Sequence, residues 1–108
     1  MIFEKDIERY LREQIKTLGG RCVKWGVSGE PDRIILIPPS LCCFVELKRP
    51  DGELSQLQLV KISKLRMMGF KVYVPYNKTD VDLIVKECKL AKEALEVKEQ
   101  YGKGSSRV

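Results

Sequence analysis

Pro31-Asp32-Arg33-Ile34-Ile35-Leu36-Ile37, then Pro38-Pro39-Ser40, then Leu41-Cys42-Cys43-Phe44-Val45-Glu46-Leu47-Lys48 is the stretch on which the fold turns. Two almost wholly apolar runs of strand length, separated by a proline-containing turn, read as strands over 33–37 and 41–48 that close an antiparallel hairpin. Side chains alternate faces along a strand, so Glu46 and Lys48 share a face with Phe44, while Val45 and Leu47 take the other. A carboxylate and an ammonium among apolar neighbours are costly unless they pair or serve chemistry. Asp32 stands at the mouth of the preceding strand, directly after a proline. Two carboxylates and a lysine converging from neighbouring strands can hold a hard divalent cation through oxygen and position a water beside it.

Upstream of the hairpin, Ile7, Tyr10, Leu11, Ile15 and Leu18 recur at helical spacing, and Gly19-Gly20 end the helix. Arg21 to Trp25 reads as a short strand with Cys22 and Val23 as candidates for burial, and 26–31 as a loop. Downstream, Pro50-Asp51-Gly52 makes a turn. Ser55 and Gln58 form a Ser-x-x-Gln capping box ahead of a helix that runs to Gly69. Phe70 to Val74 alternates as a strand ended by Pro75. Thr79 and Asp82 resemble another capping box, opening a lysine- and glutamate-rich helix from Val81 to about Gln100. The order is helix, three strands, helix, strand, helix: an α/β arrangement of a mixed sheet flanked by helices. Residues 1–101 form one domain on this reading, and 102–108 a flexible tail.

The chain has 108 residues, 44% hydrophobic and 32% charged, the balance of one soluble domain with one core. A net charge of +5 suits a polyanionic partner. There is no histidine, which excludes Ser-His and Cys-His nucleophiles and histidine-held zinc. Cys22, Cys42, Cys43 and Cys88 form no C-x-x-C pair. The adjacent Cys42 and Cys43 point to opposite faces, as suits reduced thiols. Charges at Glu4, Lys5, Asp6 and Glu8 interrupt any secretory pattern, and no segment is long and greasy enough to span a membrane. A cytoplasmic location is expected, in a host cell if a phage encodes the chain.

Pro31-Asp32, thirteen residues, then Glu46-Leu47-Lys48 resembles the PD-(D/E)XK nuclease signature. Gly29-Glu30-Pro31-Asp32-Arg33, Phe44 to Pro50, and Leu54-Ser55-Gln56-Leu57-Gln58 narrow the resemblance to the VRR-NUC family, whose stand-alone copies are typical of bacteriophages. The likeness runs from about Glu4 to Tyr76, with Glu30 where a small or β-branched residue is common. It implies a restriction-endonuclease-like αβββαβ core with an extra C-terminal helix, and no organic cofactor. It also implies that Asp32, Glu46 and the Leu47 carbonyl coordinate Mg2+ or Mn2+, and that Lys48 orients the attacking water. Gln58 and Glu4 match a glutamine and a first-helix acid of the family. Glu4 lies roughly 50° from the centre of the helix's apolar stripe and Glu8 about 90°, so Glu4 has the better view of the sheet.

Bland readings stand beside these. Gln58 is explained equally by its cap, and a first-turn acid at Glu4 is favoured by the helix dipole. Lys24, Arg33, Arg49 and Lys71 are candidates for DNA phosphate contacts or ordinary solvated charges. Trp25 stacks on a base or covers the core edge. The leading expectation is a homodimeric, metal-dependent endonuclease that resolves branched, Holliday-like DNA. The rivals are a flap- or end-directed repair nuclease and a DNA-binding module without catalysis.

Overall fold

The computed structural model describes residues 2–102. Helix α1 (Glu4–Thr17) leads into strands β1 (Arg21–Lys24), β2 (Arg33–Ile37) and β3 (Leu41–Val45), followed by α2 (Gln56–Met67), β4 (Val72–Tyr73) and α3 (Lys78–Gly102). The sheet order is β1-β2-β3-β4. The first three strands pair antiparallel, and β4 joins β3 in parallel, so α2 serves as the crossover that parallel neighbours require. Helix–three strands–helix–strand–helix is the order read from the sequence.

Strand alternation sorts the core into two layers. Ile35, Ile37, Cys43, Val45 and Leu47 face α1 and α3, meeting Ile7, Leu11 and Ile15 from one helix and Val81, Ile84 and Cys88 from the other. Each such aliphatic side chain contributes about 1.5–3 kcal/mol by leaving water. The opposite face presents Phe44 and Val72 to Ile62 of α2, with Trp25, Ile34 and Leu65 around them. Trp25 therefore covers the core edge, its ring 5.3 Å from that of Phe44. All four cysteines are free thiols: Cys42 is exposed, and Cys43 is buried.

Several boundaries differ from the sequence reading. β1 stops at Lys24. β4 shrinks to two residues, because its register is set only by its parallel pairing with Phe44 and Val45. β3 loses its β2 partner after Val45, yet Glu46 N–H still donates to Tyr73 O and Lys48 N–H to Pro75 O. α3 begins at Lys78, not Val81, because Asn77 is the cap: its Oδ1 accepts the Asp80 N–H at 2.7 Å, and Asp80 Oδ2 accepts the Tyr76 N–H at 2.9 Å. Asp82 does not close a cap; it accepts the Tyr10 hydroxyl. Of the segment read as a tail, Gly102 ends α3 and the rest lies outside the described residues.

The turn after α1 fixes how that helix meets the sheet. A Cβ on Gly20 would stand 2.6 Å from Ile37 Cγ1 and 2.8 Å from the Leu36 carbonyl oxygen. Backbone cannot yield as a side chain can, so the α1–β1 joint must shift. Gly20→Ala should lower the unfolding free energy by about 1–3 kcal/mol, measured by urea denaturation, whereas Gly26→Ala, with nothing within 4 Å of its Cβ, should change little.

Candidate active site

The place where β2 ends and β3 continues is the origin of the site. Along β3 the N–H groups of Phe44, Glu46 and Lys48 all point to β4. The N–H of Leu47 must therefore point toward β2, where Pro31 and Asp32 have already left the ladder. The Asp32 side chain takes the vacant place: Leu47 N–H donates to Asp32 Oδ2 at 2.9 Å. The Pro-Asp pair thus ends one strand and caps its neighbour with a carboxylate.

Glu46 lies on the α2 face of the sheet and is 2% exposed, the one buried charged residue among the described residues. Its Oε2 accepts the Gln58 Nε2–H at 2.7 Å and stands 3.7 Å from Lys48 Nζ. Its Oε1 is buried with no hydrogen-bond partner. Burial first, and the nearby Asp32 charge second, push the Glu46 carboxyl up to about 7, against the opposing pull of Lys48. A half-satisfied buried carboxylate beside a second acid is what a bound cation would relieve.

Gln58 performs both roles that the sequence left open. Its Oε1 accepts the Ser55 N–H at 2.9 Å, and its own N–H donates to Ser55 Oγ at 3.1 Å, which completes the capping box. The same side-chain amide turns its NH2 to Glu46. Capping fixes the amide, and the amide fixes the carboxylate. Glu4, in the first turn of α1, also faces the site: partial burial and then the charge of Asp32 raise its carboxyl, while Lys48 and Arg49 lower it.

The donor set suits a hard divalent cation. Asp32, the orphaned Glu46 oxygen and a backbone carbonyl offer oxygen alone, the ligand type of Mg2+ and Mn2+. No group of three or more acidic, histidine or cysteine side chains forms a ready-made cage among the described residues. Two carboxylates with the remaining positions left to water fit a cation that gives up its hydration reluctantly.

No family model matches the chain. "Putative nuclease p44" of Acyrthosiphon pisum secondary endosymbiont phage 1 is 32% identical over 77 residues, which covers 68% of this chain and 83% of that protein. A solved VRR-NUC domain superposes with a TM-score of 0.72 at 29% identity, covering 77% of this chain and 94% of that one. The chain belongs to the VRR-NUC family of nucleases. The restriction-endonuclease-like α/β core expected from its motifs is the fold it has.

Within this VRR-NUC domain, Asp32, Glu46, Lys48, Gln58 and, at the rim, Glu4 come together. The four cations singled out for DNA are placed unequally. Lys24 is exposed at the end of β1, paired with Arg33 in register and so adjacent to Asp32. Arg49 is exposed near the site and lies 3.1 Å from Asp51. Arg33 is tied up, donating to Glu8 Oε1 and to the Cys22 carbonyl. Lys71 lines a cavity with Cys43 and Cys88 on the α3 side of the sheet, the face opposite Glu46. Sequence reasoning did not single out Lys61, whose Nζ lies 3.2 Å from Glu30 Oε1 and pins the Pro31 loop to α2. Thirty positions separate the two, and no local spacing signals such a pair.

The raised Glu46 carboxyl makes a signed prediction. Folded, it titrates near 7 against 4.5 for an ordinary glutamate, so its contribution to stability is complete below 4.5 and is lost as pH rises through about 7. In EDTA, urea melts should show the folded state losing on the order of 3 kcal/mol across that window. Glu46→Gln should flatten most of the slope. An equal slope in the variant would assign it to other groups.

Proposed function

We propose that this chain is a Mg2+- or Mn2+-dependent, structure-specific DNA endonuclease that acts as a homodimer on branched, Holliday-like junctions. The observation that carries the reading is Glu46: a buried carboxylate with one oxygen held by Gln58 and 3.7 Å from Lys48 Nζ, and the other without a partner, next to Asp32. A binding module has no need of that arrangement.

Phosphodiester hydrolysis adds negative charge to an already anionic phosphorus, and the site is built to receive it. Asp32 and Glu46 would hold the cation, with the Leu47 carbonyl, which leaves the strand on the same edge as its N–H, toward Asp32. When bound, the cation neutralises charge on the phosphate and lowers the pKa of water. Gln58 fixes Glu46 Oε2, which keeps Oε1 free for that duty. Lys48 is 15% exposed, so its ammonium is poorly hydrated yet open to solvent on one side. From there it orients the attacking water and stabilises the developing phosphorane charge. Glu4 at the rim would order solvent beside Asp32 and Lys48. Lys24 and Arg49 are the contacts to phosphates flanking the scissile one, and Arg33 acts through Glu8 to fix α1 against the site.

Lys24 and Arg49, the proposed contacts, meet phosphates and carry no base readout, which favours recognition of DNA shape over sequence. A two-fold branched substrate calls for two sites related by a two-fold axis. The apolar face of α1 and part of that of α3 are already buried on the sheet. On α2, Leu57, Val60 and Met67 stay 50%, 47% and 87% exposed, apolar surface that a second subunit would cover.

Labelled four-way junction, flap and linear duplex, incubated with Mg2+, Mn2+ or EDTA, test the proposal directly. Cutting of the junction that requires metal and falls by about 10²–10³ in Lys48→Ala is expected. Cutting of flaps alone would make the protein an end-directed repair nuclease with the same site. Binding without any cutting would make it a DNA-binding module. Sedimentation that shows only monomer at working concentrations would remove the paired-cut mechanism.

A further inference from the structure

Beyond the site, the described residues hold one strongly basic concavity. A groove of about 350 Å³ between α1 and β1 is lined by Arg9, Arg12, Lys16 and Arg21, with Glu13 as its one acid and Gly20 in its wall. Arg9, Arg12 and Lys16 follow one another at i, i+3 and i+7, which gathers them within about 60° of arc on α1. Lys5 continues the same stripe toward the helix start, where Glu4 meets the site. Arg21 lines the other wall of the groove, on β1 at the free edge of the sheet.

These charges are available. Arg9 lies 3.9 Å from Asp6, and Arg12 lies 3.9 Å from Glu8; both separations are too long for hydrogen bonds, and the two arginine side chains are 60% and 48% exposed. Neither Lys16 nor Arg21 takes part in an ion pair among the described residues. Helix interiors tolerate such like-charge spacing at a small cost in stability. Here four cations line one groove against the single acid Glu13.

The groove also has a direction. β1 pairs with β2 from Arg21↔Leu36 to Lys24↔Arg33, so its Lys24 end abuts Asp32 and its Arg21 end points away. α1 runs alongside, with Glu4 at the site and Lys16 about 18 Å distant along the axis, or roughly five base-pair steps of a duplex. We infer that this α1–β1 groove grips the phosphate backbone of a double-stranded DNA arm leading away from the scissile position. The groove holds arginine forks and a lysine with no aromatic side chain for a base to stack on, which favours a duplex backbone over splayed single strands. The inference rests on the proposed nuclease reading for its direction, but its test requires no cleavage.

The triple variant Arg9→Ala/Lys16→Ala/Arg21→Thr removes the charge with residues suited to a helix and an edge strand. A control, Lys86→Ala/Lys89→Ala/Lys98→Ala on the exposed face of α3, removes the same charge elsewhere. Binding of fluorescein-labelled duplexes of about 8 and about 25 base pairs would be measured in EDTA across a salt series. For the long duplex, the groove variant should lose roughly ten-fold or more in affinity and its log–log salt slope should fall by about 2–3; the short duplex and the control should change far less. Equal losses in the control, or an unchanged slope in the groove variant, would overturn the inference. Failure of wild type to cut, with the slope still reduced in the variant, would leave the groove standing and sink only the nuclease reading. Where wild type does cut, the groove variant should raise KM on long-armed substrates and leave kcat near the wild-type value.

Discussion

The bond from Gln58 to Glu46 is the contact on which the rest of the site depends. A carboxylate 2% exposed in a sheet face next to Phe44 is an expensive residue to keep. One oxygen is held by the Gln58 amide, with Lys48 close by, and the other is buried without a hydrogen-bond partner. The fold tolerates this because three elements converge on the acid. β3 carries it, α2 is capped so that its amide points at it, and the Pro31-Asp32 turn stops β2 early enough to leave a gap. The site is built from the ends of elements, where the backbone offers unpaired groups for side chains to use.

That arrangement explains why the second core layer is so small. On the α2 face the buried apolar side chains among the described residues are Phe44, Ile62 and Val72, because Glu46 occupies what would otherwise be the next apolar position. The stability of the domain comes chiefly from the other face, where α1 and α3 cover a continuous aliphatic layer. The candidate site and the larger core layer thus lie on opposite sides of one sheet. α1 takes part in both: its buried stripe carries Ile7, Leu11 and Ile15, and its N-terminal turn brings Glu4 to the site.

Much of this was legible in the sequence, for identifiable reasons. The 33–37 and 41–48 runs announced the hairpin by their length and their proline turn, and Asp32, Glu46 and Lys48 stood out as charges in apolar surroundings. Gln58 was legible only as an ambiguity, since a capping box and a carboxylate clamp need the same residue at the same place. What could not be read depended on long-range contacts. The Arg33–Glu8 pair, the Lys61–Glu30 pair and the position of Lys71 on the far face depend on which strand lies beside which. The start of α3 was misplaced because two side chains competed for the cap, and Asn77 is a stronger cap than Thr79.

On the proposed reading Glu46 and Asp32 hold a cation, without which one buried Glu46 oxygen has no partner. Calorimetric titration of the metal-free protein with Mn2+ near neutral pH, repeated in buffers of different ionisation enthalpy, tests this most directly. With the Glu46 carboxyl raised to about 7, the account predicts one binding event per chain that releases roughly half a proton, and loss of both binding and proton release in Glu46→Gln. Binding of equal strength in wild type and Glu46→Gln, or no binding in either, would contradict it.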